Sequence, residues 1–227
     1  MSEVERFLID DAVIEAPVAA LNERVRMRLS DGRFERYERG LLQRHLRPGD
    51  RVLDAGAGLG LVSIVAARVV GPTAVMAVEA NPDLIRTLKR NLRLNVGQGV
   101  TVINAAVGGD AQDGHDTTLH VHAAFWSASV NARHAGKGIA HQVRTRSLSK
   151  LLRRADATVL SMDIEGAEIA ALSQPLPTNL RLIVMELHPI LYRAGERDEL
   201  LNRLAAQGFH PASPDKTEEV VALIRDI

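Results

Sequence analysis

An α/β fold is the architecture that this 227-residue sequence predicts, and three observations predict it. Apolar runs of strand length, such as Val52-Leu53, Ala74 to Val78 and Thr158 to Met162, alternate with stretches whose apolar spacing is helical. A glycine turn, Gly56-Ala57-Gly58-Leu59-Gly60, stands where the first of these strands gives way to a helix. Acids follow directly on the strands: Glu79, then Asp163-Ile164-Glu165, then Glu186. Strands alternating with helices form a helix-covered sheet, and such sheets bind ligands outside the carboxyl ends of their strands.

Composition sets the outer bounds. A chain of this length buries a full core and is read as one domain. Lys+Arg and Asp+Glu number 28 each, so no whole-molecule field draws it to nucleic acid or an acidic membrane. With 0 Cys, disulfides, thiolate metal sites and a cysteine nucleophile are excluded. No apolar run spans a bilayer, and Met1-Ser2-Glu3-Val4-Glu5-Arg6 lacks the order of a signal peptide. A cytoplasmic protein is therefore expected.

In chain order, residues 1–47 read as an N-terminal strand and helix cap. Arg24-Val25-Arg26-Met27-Arg28-Leu29 alternates basic and apolar, which predicts a half-buried strand. Its arginines form either a solvated face or part of a substrate patch. Ser30-Asp31-Gly32 is a turn, and Phe34 to Leu46 a helix with Leu41, Leu42 and Leu46 on its apolar side, closed by Pro48-Gly49. Val52-Leu53 is the first core strand and Leu61 to Val70 the helix after the glycine turn. Glycine lets backbone N–H groups approach a ligand closely. Asp54, just before the turn, disfavours a pyrophosphate and favours a ligand with a positive group. S-adenosylmethionine (SAM), with its amino group and sulfonium, is such a ligand. The spacing G-x-G-x-G agrees, because Leu61 occupies the last glycine position of the NAD pattern. Glu79, at the tip of the second strand, is placed to accept both ribose hydroxyls of an adenosine.

Asn81-Pro82 predicts a helix start, with Asn as cap and Pro at the first position, running to about Asn95. Val100 to Val107 reads as a third strand, whose small residues Ala105 and Ala106 leave room for an adenine ring or simply pack. Residues 108–147 form an irregular segment on the substrate side. Within it Thr117 to His122 alternates like a strand, putting His120 and His122 on one face as either a metal pair or exposed histidines. Phe125-Trp126, an aromatic pair in a chain that is 3% aromatic, lines a pocket or packs beneath the loop. Further strands are expected at His141 to Thr145, Thr158 to Met162, Leu180 to Leu187 and Val220 to Ile224. Helices are expected at Ser147 to Arg154 and Arg197 to Gln207.

Methyl transfer from SAM needs an aligned acceptor and, for a hydroxyl, a group to take its proton. Asp163, Glu165 and His188, at adjacent strand ends, are the candidates. His188, before Pro189, reads equally as a hydrogen-bonded structural histidine. No protein metal site is predicted, although acids at this edge suit Mg²⁺.

The residues Phe34-Glu35-Arg36-Tyr37-Glu38, Pro48-Gly49-Asp50, Val52 to Gly60, Glu79-Ala80-Asn81-Pro82, Met162-Asp163-Ile164-Glu165-Gly166-Ala167-Glu168 and Glu186-Leu187-His188-Pro189 resemble the FkbM-type SAM-dependent methyltransferases of bacterial secondary-metabolite and glycan pathways. The resemblance implies a Rossmann-like class I methyltransferase fold, mostly parallel, flanked by helices, with an antiparallel last strand. It implies O-methylation, here of a small-molecule or glycan hydroxyl, with S-adenosylhomocysteine as product; the balanced charge, separately, leads us to expect no nucleic-acid or membrane partner. It places the helix of Glu38 over the cofactor, with Glu38 at the amino end of SAM. The cofactor set expected is Glu38, Asp54, Gly56, Ala57, Gly58, Gly60, Glu79, Ala80, Asn81, Ala106 and Asp163. Gly58 stands where the family commonly has Asn. Rival readings are an NAD-binding Rossmann oxidoreductase, for which no Tyr-x-x-x-Lys pair is present, and a non-catalytic SAM-binding protein. A nucleic-acid methyltransferase would want an Asn/Asp-Pro-Pro-Tyr motif, and none occurs.

Overall fold

The computed structural model describes residues 3–121, 139–212 and 219–226. Its centre is a seven-stranded sheet. Strands β3 (Val52–Ala55), β4 (Val75–Glu79) and β5 (Thr101–Asn104) run parallel on one side of it, and β9 (Val159–Met162) and β10 (Leu182–Glu186) run parallel on the other. β12 (Val220–Ile224) pairs antiparallel with β10, and the short β11 (His210–Pro211) closes that edge, giving the order β11-β12-β10-β9-β3-β4-β5. The antiparallel last strand is thus present. Order reverses between β3 and β9, which is where an open sheet of this kind leaves a crevice.

Burial on both faces explains why these strands are unbroken apolar runs. Every residue of β3, β4 and β9 is buried. Leu53, Met76 and Leu160 face one layer, with Leu148 and Leu152 of α5 (Leu148–Ala155) and Leu200 and Leu204 of α7 (Glu196–Ala206). Val52, Val75 and Val159 face the other, with Leu41 and Leu42 of α2 (Arg36–His45) and Val62 and Ala66 of α3 (Leu61–Val70). A four-residue helix, α6 (Glu168–Ala171), follows the acids after β9. Among the described residues no helix is long and apolar enough to cross a membrane.

The N-terminal segment departs from expectation. Residues 24–29 are not a strand but lie within helix α1 (Glu23–Ser30), capped by Asn22, whose side chain accepts the Val25 N–H at 2.9 Å. The alternation Arg-Val-Arg-Met-Arg-Leu satisfies a period of two, but only Val25 and Leu29, four apart, are buried, while Met27 is 53% exposed. Ahead of α1 a hairpin forms from β1 (Val4–Ile9) and β2 (Ala12–Pro17), turning on Asp10 and Asp11, both left-handed at φ 47 and 61. It docks through helix α4 (Ile85–Val96). The buried Asn91 side chain accepts the Glu15 N–H and donates to the carbonyls of Glu15 and Leu59, all at 2.9 Å.

Two further corrections concern the next elements. α4 begins at Ile85 rather than at Pro82. Asn81 instead caps a preceding turn, its Oδ1 accepting the Asp83 N–H at 3.0 Å. The expected strand 100–107 is two strands in different sheets. After β5 the chain turns at Ala105, whose N–H donates to the Glu79 carbonyl, while Asn104 Nδ2 donates to the carbonyls of Glu79 and Ala80. β6 (Ala106–Gly108) then joins a three-stranded sheet ordered β6-β8-β7, with β7 (Asp116–Val121) and β8 (Ile139–Ser147). Residues 108–147 therefore include ordered sheet. His122 and Phe125-Trp126 lie outside the described residues.

Replacing Asn91 with Leu should leave the Glu15 and Leu59 backbone groups unpaired and cost about 2–4 kcal/mol. Urea unfolding, compared with the conservative Leu92→Met, measures it. An unchanged midpoint would show that the hairpin is held by apolar packing alone.

Candidate functional site

At the carboxyl ends of β3, β4, β9 and β10 lies a cavity of about 930 Å³. One wall is the glycine loop. The Gly56 and Ala57 N–H groups both donate to the Val78 carbonyl, at 2.9 and 3.0 Å, which ties the loop to β4. Glu79 completes the tie, as Oε2 accepts the Gly58 N–H at 2.7 Å and Oε1 the Asn81 N–H at 2.6 Å. Gly56, at φ 89, packs so closely on Asp163 that a Cβ would overlap the Asp163 carbonyl. At Gly60 a Cβ would meet Leu88 Cδ1 at 2.6 Å, so this glycine serves helix packing.

Of the residues expected to hold a cofactor, Glu38, Gly56, Gly58, Glu79, Ala80, Ala106 and Asp163 line the cavity. Asp54, Ala57, Gly60 and Asn81 are not on its wall. Asp54 lies behind the loop, 3% exposed, accepting the Ser63 hydroxyl at 2.5 Å. Burial raises its pKa to about 6, against the hydrogen bonds from Ser63 and Ser161. The charge that the sequence assigns to the ligand from Asp54 is thus spent on the start of α3.

The opposite wall is carboxylates. Asp163, Glu165 and Glu186 follow β9 and β10, and Glu35 and Glu38 enter from α2 and the residue before it. Crowding in a poorly solvated space keeps Glu35, Glu38, Asp163 and Glu165 protonated at unusually high pH. Burial raises Glu38 to about 7, helped by Glu186, to which it is hydrogen bonded. Burial raises Glu165 to about 7 as well. Asp163 is pushed well above its ordinary value by burial and by Glu186, Glu165 and Glu38. Glu35 is pushed well up by burial, Glu38, Asp54 and Glu186. The outer oxygens Glu35 Oε2 and Asp163 Oδ1 are buried with no hydrogen-bond partner among the described residues. Glu35 and Glu165 also occupy left-handed backbone conformations, φ 49 and 53, the kind of strain that gathers at functional sites. Glu35 was not among the sequence candidates. Its one sequence signal is its place beside Tyr37 and Glu38, and only the docking of α2 brings it inward.

His188 stands between the acids. Its Nδ1 lies 3.0 Å from Glu168 Oε1, and its Nε2 is 3.5 Å from both Asp163 Oδ1 and Glu165 Oε2. Glu168 is fully buried and also accepts the Tyr192 hydroxyl at 2.9 Å, while that hydroxyl accepts the His188 N–H at 3.0 Å. Burial opposes the imidazolium, but Glu168 and then Glu165 outweigh it and raise His188 to about 9. Burial likewise opposes charge on Glu168, but the His188 hydrogen bond holds it below its usual range. At neutral pH His188 therefore carries its proton, so it can orient or donate but has no lone pair to take one. Asp163, Glu186 and His188 each offer a ligand atom within 4.8 Å of the others. A cation there would have to displace the His188 proton.

The fold and cavity define an α/β protein with a nucleotide-type glycine loop facing an acidic pocket. Residues 54–211 match the family described as Methyltransferase FkbM domain, and the chain belongs to that family. Among curated proteins it is 37% identical over 92 residues to a ribosomal protein L11 methyltransferase of Chloroflexus aurantiacus, covering 35% of this chain and 28% of that one. With the same-named protein of Thermotoga neapolitana it shares 31% over 107 residues, or 42% of this chain and 39% of the relative. The matches thus span well under half of these relatives. The crystal structure of Trm5b from Pyrococcus abyssi overlays 98% of this chain on 54% of its own, with 16% identity and a TM-score of 0.50, a likeness of fold.

Glu168→Gln should let the His188 pKa fall from about 9 towards its ordinary value, read by NMR titration of the imidazole. A raised imidazole pKa stabilises the folded state fully below the ordinary value near 6.5 and loses that contribution as pH rises through about 9. Thermal stability of the unsubstituted protein should accordingly decline over that window, and less so in Glu168→Gln. Identical titration curves would remove Glu168 as the cause.

Proposed function

We propose that this chain, residues 1–227 as a single domain, is a SAM-dependent methyltransferase acting on a hydroxyl of a small-molecule or glycan acceptor. The observation that carries the proposal is the mismatch of charge inside the cavity. A cluster of carboxyls that cannot all ionise together is complementary to a ligand bearing an ammonium and a sulfonium. The glycine loop and Glu79 beside it suit an adenosine. Each Glu79 oxygen already accepts one N–H and keeps a lone pair for a ribose hydroxyl. Gly56, Gly58, Ala80 and Ala106 form the adenosine wall, Glu38 and Asp163 face the positive end, and Asp54, Ala57, Gly60 and Asn81 shape the loop from behind.

When bound, SAM supplies an electrophilic methyl group on a sulfonium leaving group. The chain's own part is alignment and proton removal. Asp163 takes the proton of the acceptor hydroxyl, and a carboxylate whose pKa the site has raised is the stronger base for it. The His188 imidazolium and Glu165 hold the acceptor and the Asp163 side chain in line.

Three outcomes follow for cofactor and chemistry. By calorimetry SAM and S-adenosylhomocysteine should bind in preference to NAD, and Glu79→Ala should weaken binding by about 1–3 kcal/mol. Tight NAD binding with no response to SAM would overturn the reading. Because Glu38 and Glu165 titrate at about 7, a cationic ligand must expel their protons. SAM affinity should therefore rise with pH between about 6 and 8, and the binding heat should vary with the buffer's ionisation enthalpy. A flat profile would mean that these acids do not face the cation. Asp163→Asn should weaken SAM binding, and at saturating SAM it should still lower turnover about 10²–10⁴-fold. Weaker SAM binding with turnover at saturation unchanged would make Asp163 a cofactor ligand only. The L11 relatives' names favour a protein acceptor instead, and turnover on ribosomal proteins with none on hydroxylated small molecules or glycans would decide for that reading.

A further inference from the structure

The mouth of the cavity is of opposite character to its floor. Because residues 24–29 are helical, Arg24, Met27 and Arg28 share the face of α1 that lines the cavity. Arg26 leaves by another face, donating to Glu5 at 2.8 Å. Arg24 and Arg28 are exposed and in no salt bridge among the described residues. Arg36, also at the mouth, lies 5.0 Å over the Tyr37 ring. Three large apolar side chains stand beside these arginines in water: Met27 at 53%, Tyr37 at 50% and Ile190 at 91% exposure, all lining the same cavity. Arg36 also donates to the Tyr37 hydroxyl at 3.2 Å, and Arg28 acts on Glu38 only at a distance. Guanidinium groups without a bonded carboxylate thus stand interleaved with exposed apolar surface, a recognition surface rather than a solvated face.

We infer that the acceptor is a small amphiphilic anion, a carboxylate or phosphate ester on an apolar body, whose anionic group is held by Arg24, Arg28 and Arg36 while its body lies on Met27, Tyr37 and Ile190. This rests on the methyltransferase reading for the word acceptor, but the recognition itself does not. The two charged zones orient such a molecule. The acids below repel its anionic end and the arginines above attract it, so the end that reaches Asp163 is a neutral hydroxyl. The same polarity selects ether over ester formation, because a carboxylate presented as the methyl acceptor would have to enter the acidic floor. Neutral sugars gain nothing from the arginines. A nucleic-acid strand would need a basic track running beyond one opening, and the chain's charges balance at 28 of each sign.

The experiment is displacement of the fluorescent amphiphilic anion 8-anilinonaphthalene-1-sulfonate from the full chain. The competitors are 4-hydroxyphenylpropionate, its neutral amide, phenyl phosphate and a single-stranded RNA oligonucleotide. The carboxylate should compete at concentrations about tenfold below its amide, the size of one charge-assisted hydrogen bond, and the preference should shrink with added salt. Phenyl phosphate against 4-hydroxyphenylpropionate separates phosphate from carboxylate as the anion. In the double variant Arg24→Ala/Arg28→Ala the preference should fall to about twofold, and Arg24→Lys/Arg28→Lys should restore part of it. Saturable SAM binding, measured on the same samples, reports that the variants are folded. Equal competition by acid and amide, a preference that survives Arg24→Ala/Arg28→Ala, or displacement chiefly by RNA would overturn the inference. Loss of SAM binding in the unsubstituted chain with the anion preference intact would instead overturn the methyl-donor reading alone.

Discussion

The bond from the Gly58 N–H to Glu79, with its partner from Asn81, is what the site depends on. Two strand ends, β3 and β4, are fastened by one buried carboxylate and by the Val78 carbonyl. A buried acid is costly, and burial indeed raises the Glu79 pKa, but the backbone N–H groups of Asn81 and Gly58 counter it. The tightened loop then presses Gly56 on the Asp163 backbone, and Asp163 N–H donates to the Ala55 carbonyl at 2.9 Å. In this way the loop, which belongs to the first half of the sheet, comes to face the acids of the second half across one cavity. The clamp also sets what a ligand meets, since Glu79 presents only the lone pairs its backbone partners leave.

What was legible in the sequence was local. The β3 strand, the glycine turn, α3 and the acid after β4 are written in consecutive residues, and so is the Asp163-Ile164-Glu165 run. What was not legible depends on partners distant in the chain. The hairpin of β1 and β2 is apolar at Phe7, Ile9 and Ile14, but those residues acquire a core only against α1, α3 and α4, with Asn91 of α4 as the polar link. The α1 segment fits two periods at once, and burial of Val25 and Leu29 decides between them. The break at Ala105 follows from the Asn104 and Ala105 bonds to β4, which the apolar run of residues 100–107 conceals. Asp54 has the right position beside the loop, yet its bond to Ser63 turns it from the cavity. Glu35 has no role legible in the sequence, and Glu38 only the one that the family resemblance implies, because nothing local reveals that α2 packs over the strand ends.

The acid cluster has a consequence for catalysis in the proposed reaction. A histidine at a strand end suggests a general base, but His188 is held between Glu168 and the pair Asp163 and Glu165, and it keeps its proton to about 9. Its positive charge does the reverse of base work. It favours ionisation of Glu165 against the burial that raises that residue to about 7, and its Nε2 is equally near Asp163. Asp163 still resists ionisation, because Glu186, Glu165 and Glu38 crowd it. Further positive charge in the cavity removes that resistance. A cationic methyl donor would therefore create its own base, since Asp163 would become a proton acceptor only while the donor is in place. An acceptor hydroxyl arriving first would find a protonated acid, and nothing in the cavity would activate it prematurely.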